Sequence, residues 1–148
     1  MYKLRNRIQN FGVKLTTMKH KNCKGEACIY RARKIYALFQ EIKRSGTCST
    51  IGEICTLISE TQMDRYYISE ERARDIYHRY RRHGCIEPCS RYAYALRLDL
   101  VHECERIRQE KGLTSYSAIV REAIERPARS IGLSPNRIQR ILKEGGLL

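Results

Sequence analysis

The chain has 148 residues, enough for one domain or two very small ones. Its 29 Lys and Arg outnumber its 16 Asp and Glu, a formal net charge of +13 that favours a polyanionic partner, nucleic acid ahead of an anionic membrane. No run approaches the 18 or so apolar residues of a membrane span, and the start MYKLRNRIQNFGVKL lacks the apolar core of a signal peptide, so a cytoplasmic protein is expected.

The charge is unevenly spread. Residues 1–34 hold ten basic side chains and one acid, Glu26; residues 35–90 hold eight of each sign; residues 91–148 hold eleven basic and seven acidic. The positive field is therefore strongest at the N-terminus. Residues 1–28, with Gly12, Thr16 and Thr17, follow neither a helical nor a strand period. They are expected to form a basic arm, with no more than a short hairpin, whose Lys3, Arg5, Arg7, Lys14, Lys19 and Lys21 neutralise phosphates.

After the arm, three helical patterns follow. In CIYRARKIYALFQEIKRSG, Ala32, Ile35, Tyr36, Phe39 and Ile42 recur at three- and four-residue steps, and Gly46 is placed to stop the helix. TIGEICTLIS opens with Thr50 and Glu53 at capping-box spacing and puts Ile51, Ile54, Cys55 and Ile58 on one face. Ser69 then caps a third helix whose apolar stripe is Ala73, Ile76, Tyr77 and Tyr80, ended by Gly84. Its acids Glu70 and Glu71 stand at the front and Arg79, Arg81 and Arg82 at the back, which suits the helix dipole without any ligand.

The pattern returns 65 residues later. Ile51, Ile54, Cys55 and Ile58 map onto Tyr116, Ile119, Val120 and Ala123; Ser69, Arg72, Ala73, Ile76 and Tyr77 map onto Ser134, Arg137, Ile138, Ile141 and Leu142. Each pair keeps its chemical class. The reading is all-α: two repeated three-helix units, 29–84 and 85–148, behind a poorly structured basic arm. Units of this size lie near the lower limit for an independent core, so the two should share an interface or the protein should self-associate.

The C-terminal stretch IERPARSIGLSPNRIQRILKEGG carries the densest signal. Ala128, Gly132, Ile138 and Ile141 stand at spacings where a small residue lets two helices approach, a glycine accepts a left-handed turn and two isoleucines bury the second helix. Ser134 as N-cap and Pro135 at the first helical position give a sharp start. This segment resembles the helix-turn-helix of DNA-binding proteins. The resemblance implies an exposed face of Asn136, Arg137, Gln139, Arg140 and Lys143, amide and guanidinium groups that can pair with base edges of double-stranded DNA. Pro127 departs from the pattern, because it cannot lie inside the preceding helix. Either that helix is one turn beginning at Pro127, or the helix before it ends near Glu125 and a long loop follows. Separately, RYYISEERA is similar to segments of small basic proteins from gut Bacteroidales and their phages or mobile elements, which implies a setting and no activity.

Seven cysteines, an odd number, argue against a full disulfide framework. Cys23 and Cys28 precede the first long helix, and Cys85 and Cys89 precede its counterpart, so four thiolates could hold a structural zinc. Cys48, Cys55 and Cys104 fit caps or apolar faces and read as small hydrophobes. There is no phosphate-cradling glycine loop, no HExxH and no nucleophile elbow, and His20, His78, His83 and His102 are scattered; no enzyme is expected.

Three accounts follow from these residues. The first is a small DNA-binding regulator or accessory factor of a phage or mobile element. The second is a structural or adaptor protein that binds other proteins through its helices. The third, RNA binding by the arm, is limited by having only Tyr2 and Phe11 to stack on bases.

Overall fold

The computed structural model describes residues 25–148, so the expected arm lies outside the described residues apart from 25–28. Helix α1 spans Glu26–Ser45, α2 Ile51–Glu60, α3 Glu70–His83, α4 Arg91–Lys111, α5 Tyr116–Ala123 and α6 Pro135–Glu144. The described residues hold no strand, only one isolated antiparallel bridge between Met63 and Ala128. None of these helices is long and apolar enough to cross a membrane.

The starts are chemically fixed. Ser69, Ser90, Ser115 and Ser134 each turn a side-chain oxygen toward the amide three residues on, satisfying one orphan N–H of the first turn. Thr50 does the same for the Glu53 amide at 3.2 Å. The Glu53 carboxylate reaches back to the Ser49 N–H at 2.8 Å, one residue before the cap, so the box closes slightly wider than its usual form. Gly46, Gly84 and Gly112 end α1, α3 and α4 with positive φ, the conformation a Cβ disfavours.

Packing groups the helices in a way that chain order does not. One compact unit runs up to Glu60 and then takes in Ser134–Leu148; the other is Thr61–Leu133. In the first, α6 packs on α2 and α1; in the second, α3 packs on α5 and α4. The division expected at residues 84 and 85 is therefore not how the helices associate. Each unit has one long, one short and one third helix, and the third helix comes from the opposite half of the chain.

The first core is built from Ile35, Tyr36 and Phe39 of α1, Ile54 and Ile58 of α2, and Ile138, Ile141 and Leu142 of α6, all buried. Each such side chain removed from water contributes about 1.5–3 kcal/mol. Ile51 departs from the expected face: it is 42% exposed, because it sits in the first turn of α2, beyond the cover that protects Ile54 and Ile58. Ile42 and Tyr80 are half-buried.

In the second core Tyr77, Leu100, Ile107 and Ile119 are fully buried with Met63, Tyr66 and Ile131 of the connecting segments. Met63 and Ala128 exchange both backbone hydrogen bonds, at 2.9 and 3.0 Å, and the Tyr66 N–H donates to the Ile124 carbonyl at 3.0 Å. Ala128, which the helix-turn-helix spacing assigns to a close helix approach, lies in this extended pairing. Helix α5 has already ended at Ala123 with Ile124 as cap, and Pro127 prevents its continuation. Of the two arrangements that Pro127 allowed, the long connection is the one found. Gly132 does take the positive φ expected of it, +78°, and a Cβ there would meet Leu96 Cδ2 at 2.4 Å.

Candidate nucleic-acid interface

Helix α6 is held from both ends and from beneath. Ser134 Oγ accepts the Arg137 N–H at 3.2 Å, and Pro135 supplies a φ already suited to the first turn. At the other end Leu147 N–H donates to Leu142 O at 3.0 Å and Gly146 N–H to Lys143 O at 3.1 Å, with Gly146 at φ +76°. This is the paired closure that satisfies the last carbonyls of a helix. Below it, Gly145 is buried against Tyr36: a Cβ at Gly145 would stand 2.1 Å from the Tyr36 hydroxyl oxygen. That hydroxyl donates to the Ile141 carbonyl at 3.3 Å.

With Ile138, Ile141 and Leu142 facing inward, helical geometry turns the remaining positions out. Asn136, Gln139, Arg140 and Lys143 are exposed and Arg137 is half-buried. Asn136 and Gln139 share an open groove in the first unit with Thr50, Gly52, Glu53, Thr56 and Glu60 of α2. Sequence reasoning found the α6 side of this groove and missed the α2 side. Those α2 residues are the polar complement of the buried stripe Ile54, Cys55 and Ile58, a signal present in the sequence, but nothing local said that α6 would lie beside them.

Among the described residues Arg137, Arg140 and Lys143 form no ion pair. The arginines of α3 are differently placed. Arg72 and Arg79 both meet Asp75, at 3.4 and 3.3 Å, and Arg79 also pairs with Glu87. Arg81 meets Glu105 at 2.8 Å, Glu70 meets Arg121 at 3.0 Å, and Arg74 donates to Ser117 Oγ at 3.1 Å. The corresponding groove of the second unit is lined by Ser69, Glu71, Arg72, Arg74, Asp75, His78 and Tyr116, with charges of both signs. Tyr116 there takes His78 edge-on at 5.0 Å and Tyr77 at 5.4 Å, an aromatic cluster capped by the Arg108 guanidinium.

The other expected site residues are dispersed. Lys3, Arg5, Arg7, Lys14, Lys19, Lys21 and Cys23 lie outside the described residues. Cys28 is half-buried in the first turn of α1, where its sulfur accepts from the Arg31 guanidinium at 3.4 Å. Cys85 and Cys89 are exposed in the connection between α3 and α4. No three metal-ligating side chains come together among the described residues. Cys55 and Cys104 are buried. Burial, with the Glu103 and Glu105 carboxylates nearby, pushes the Cys104 thiol up to about 12, and burial alone raises Cys55, so both stay protonated and pack as apolar groups.

The arrangement therefore offers one capped helix whose outward cations form no ion pair among the described residues, beside the Glu53 and Glu60 carboxylates of α2, and a second whose Arg72, Arg79 and Arg81 are paired with carboxylates. No family model matches the chain, and neither does any curated protein or solved structure.

Proposed function

We propose that this chain is a small DNA-binding protein in which α6 enters the major groove of double-stranded DNA. Asn136, Gln139 and Arg140 reach base edges there, while Arg137 and Lys143 contact phosphates. The carrying observation is the exposed polar face of α6, whose cations form no ion pair among the described residues, on a helix locked at both ends. A reading helix must hold its side chains in register, and its cations must be free to replace DNA counterions. In this reading α2 and α6 together do what a contiguous helix-turn-helix does, with the two helices drawn from distant parts of the chain.

The basic arm adds affinity without sequence preference. Residues 1–24 contain seven basic side chains and no acid. We also read the two units as products of duplication, since α1, α2 and α3 begin at Glu26, Ile51 and Glu70 and α4, α5 and α6 begin 65 residues later at Arg91, Tyr116 and Pro135. The likeness of RYYISEERA to segments from gut Bacteroidales and their mobile elements suggests a regulator or accessory factor of such an element.

A direct test measures the full chain on a selected duplex and on a scrambled one. Arg140→Ala is expected to cost about 1–3 kcal/mol on the selected duplex and to narrow the gap between the two. If both affinities stay where they were, α6 does not read DNA.

A second reading, a protein-binding adaptor, is favoured by one observation. Phe39, Ile51, Ile54, Leu147 and Leu148 line an apolar groove in the first unit, with Ile51 and Leu148 more than 40% exposed. Replacing Ile51 and Leu148 by serine leaves DNA affinity unchanged under the first reading.

A further inference from the structure

The two third helices occupy equivalent places, and their outward positions can be compared residue by residue at the 65-residue step. Where α6 has Asn136, Gln139, Arg140 and Lys143, α3 has Glu71, Arg74, Asp75 and His78. Two of the four substitutions place a carboxylate where α6 carries an amide or a guanidinium. Both carboxylates line the groove of the second unit; in that of the first, α6 contributes Asn136 and Gln139 and no acid, the carboxylates Glu53 and Glu60 there belonging to α2.

From this difference we infer that the chain reads a single, non-palindromic DNA element through the first unit alone, the second unit having lost the capacity. The inference rests on the DNA-binding reading above and sharpens it to a class of site. Proteins that present two equal reading helices recognise paired half-sites, because the symmetry of the protein is copied into the operator. Here the equality is broken at the reading face. A phosphate backbone brought to α3 meets Glu71 and Asp75 in the first turns, and like charges at contact distance repel. The arginines beside them are already held, Arg72 and Arg79 by Asp75 and Arg74 by Ser117. Detaching them for DNA would forfeit those bonds. On α6, Arg140 and Lys143 form no ion pair among the described residues and so have no such bonds to give up.

Selection of binding sites from a random duplex pool, using the full chain, tests this. The expected product is one short contiguous element with no inverted or direct partner. On that element Arg140→Ala weakens binding about ten-fold or more, while Arg74→Ala and Asp75→Ala leave it unchanged. Two elements at fixed spacing, both needed for binding, overturn the inference while leaving the DNA reading intact. So does a loss at Arg74→Ala matching that at Arg140→Ala. Failure of any sequence to enrich overturns the DNA reading itself, and the single-element inference with it.

Discussion

Met63 and Ala128 face each other across the only backbone bridge among the described residues, and they are 65 residues apart, the same step that separates the starts of α1 and α4, α2 and α5, and α3 and α6. Each stands in the segment joining a short helix to a third helix. Equivalent positions of the two connections thus bond to one another, N–H to C=O in both directions. The pairing lies where each third helix leaves the short helix before it in the chain and packs in the other unit.

This grouping of helices makes each half of the chain incomplete alone. The half ending at Gly84 supplies α1 and α2 to one core and α3 to the other; the half beginning at Cys85 supplies α4 and α5 to one and α6 to the other. A protease site inserted after Pro88, in the exposed connection between α3 and α4, should therefore be cut without dissociation. The two fragments are expected to elute together in native buffer and to separate only in denaturant. Fragments that part in native buffer while keeping their helicity would show that α3 and α6 do not pack in the unit of the opposite half.

Gly145 and Tyr36 give a sharper local expectation. Any side chain at 145 meets the Tyr36 ring, whose hydroxyl is itself bonded to the Ile141 carbonyl. Gly145→Ala should lower stability by about 1–3 kcal/mol, the usual cost of overpacking a well-filled site. Adding Tyr36→Phe removes the nearest clashing atom and should recover part of that loss, although alone it costs about 1 kcal/mol for the missing hydrogen bond. Urea midpoints of the two single variants and the double variant form the cycle; strict additivity would mean that the two residues do not press on each other.

Most of the helices were legible because their signals are local. A serine with its oxygen on the amide three residues later, or a glycine after the last periodic position, needs no information from elsewhere in the chain. The outward face of α6 that the helix-turn-helix resemblance implies, with Gln139 and Arg140 on it, is exposed in the structure. What could not be read was the partner of α6. Its stripe Ile138, Ile141 and Leu142 fits either short helix equally well by chemistry, and choosing α2 over α5 is a property of the whole fold. The Ala128 spacing misled for a related reason: a small buried residue serves a close helix approach and a close backbone pairing alike, and only Pro127 favoured the second.

The buried Glu103 anchors the crossing segment to α4. Its carboxylate accepts from Arg126 and from Arg106, each at 2.6 Å, and Glu103 is 8% exposed. Arg126 lies between Ile124 and Ala128, the two residues that bond to the opposite connection. Arg126→Ala leaves a poorly hydrated carboxylate with one partner, so a loss of stability concentrated in the second unit is expected. Hydrogen exchange would show it as faster exchange at Ala128 and Tyr66; exchange unchanged at both would mean that the ion pair does not hold the crossing.

Glu53 makes the first unit sensitive to acid. The Ser49 N–H and then the Ser49 hydroxyl bond its carboxylate and hold its pKa below the ordinary 4.5. A carboxyl depressed in the folded state contributes its stability fully above its unfolded value and loses it as pH falls through the folded one. Wild type should therefore exceed Glu53→Gln in stability at neutral pH, and the two curves should converge in acid. A constant gap between them across the carboxylate range would show that the charge of Glu53 is not what caps α2.

Salt separates the contributions of arm and helix. The seven basic residues before Gly25 face no acid in their own segment, and each phosphate they neutralise adds about 0.9 to the steepness of log affinity against log salt. Deleting residues 1–24 should flatten that dependence by up to about six, with the difference between selected and scrambled duplex kept. The reason is that counterion release is blind to sequence, whereas the amide and guanidinium groups of α6 are not. Anisotropy titrations of both forms over a salt series read the two quantities independently. If the truncated chain keeps no preference at any salt, the exposed face of α6 is only a solvated helix surface, and the positive charge of the arm accounts for all binding.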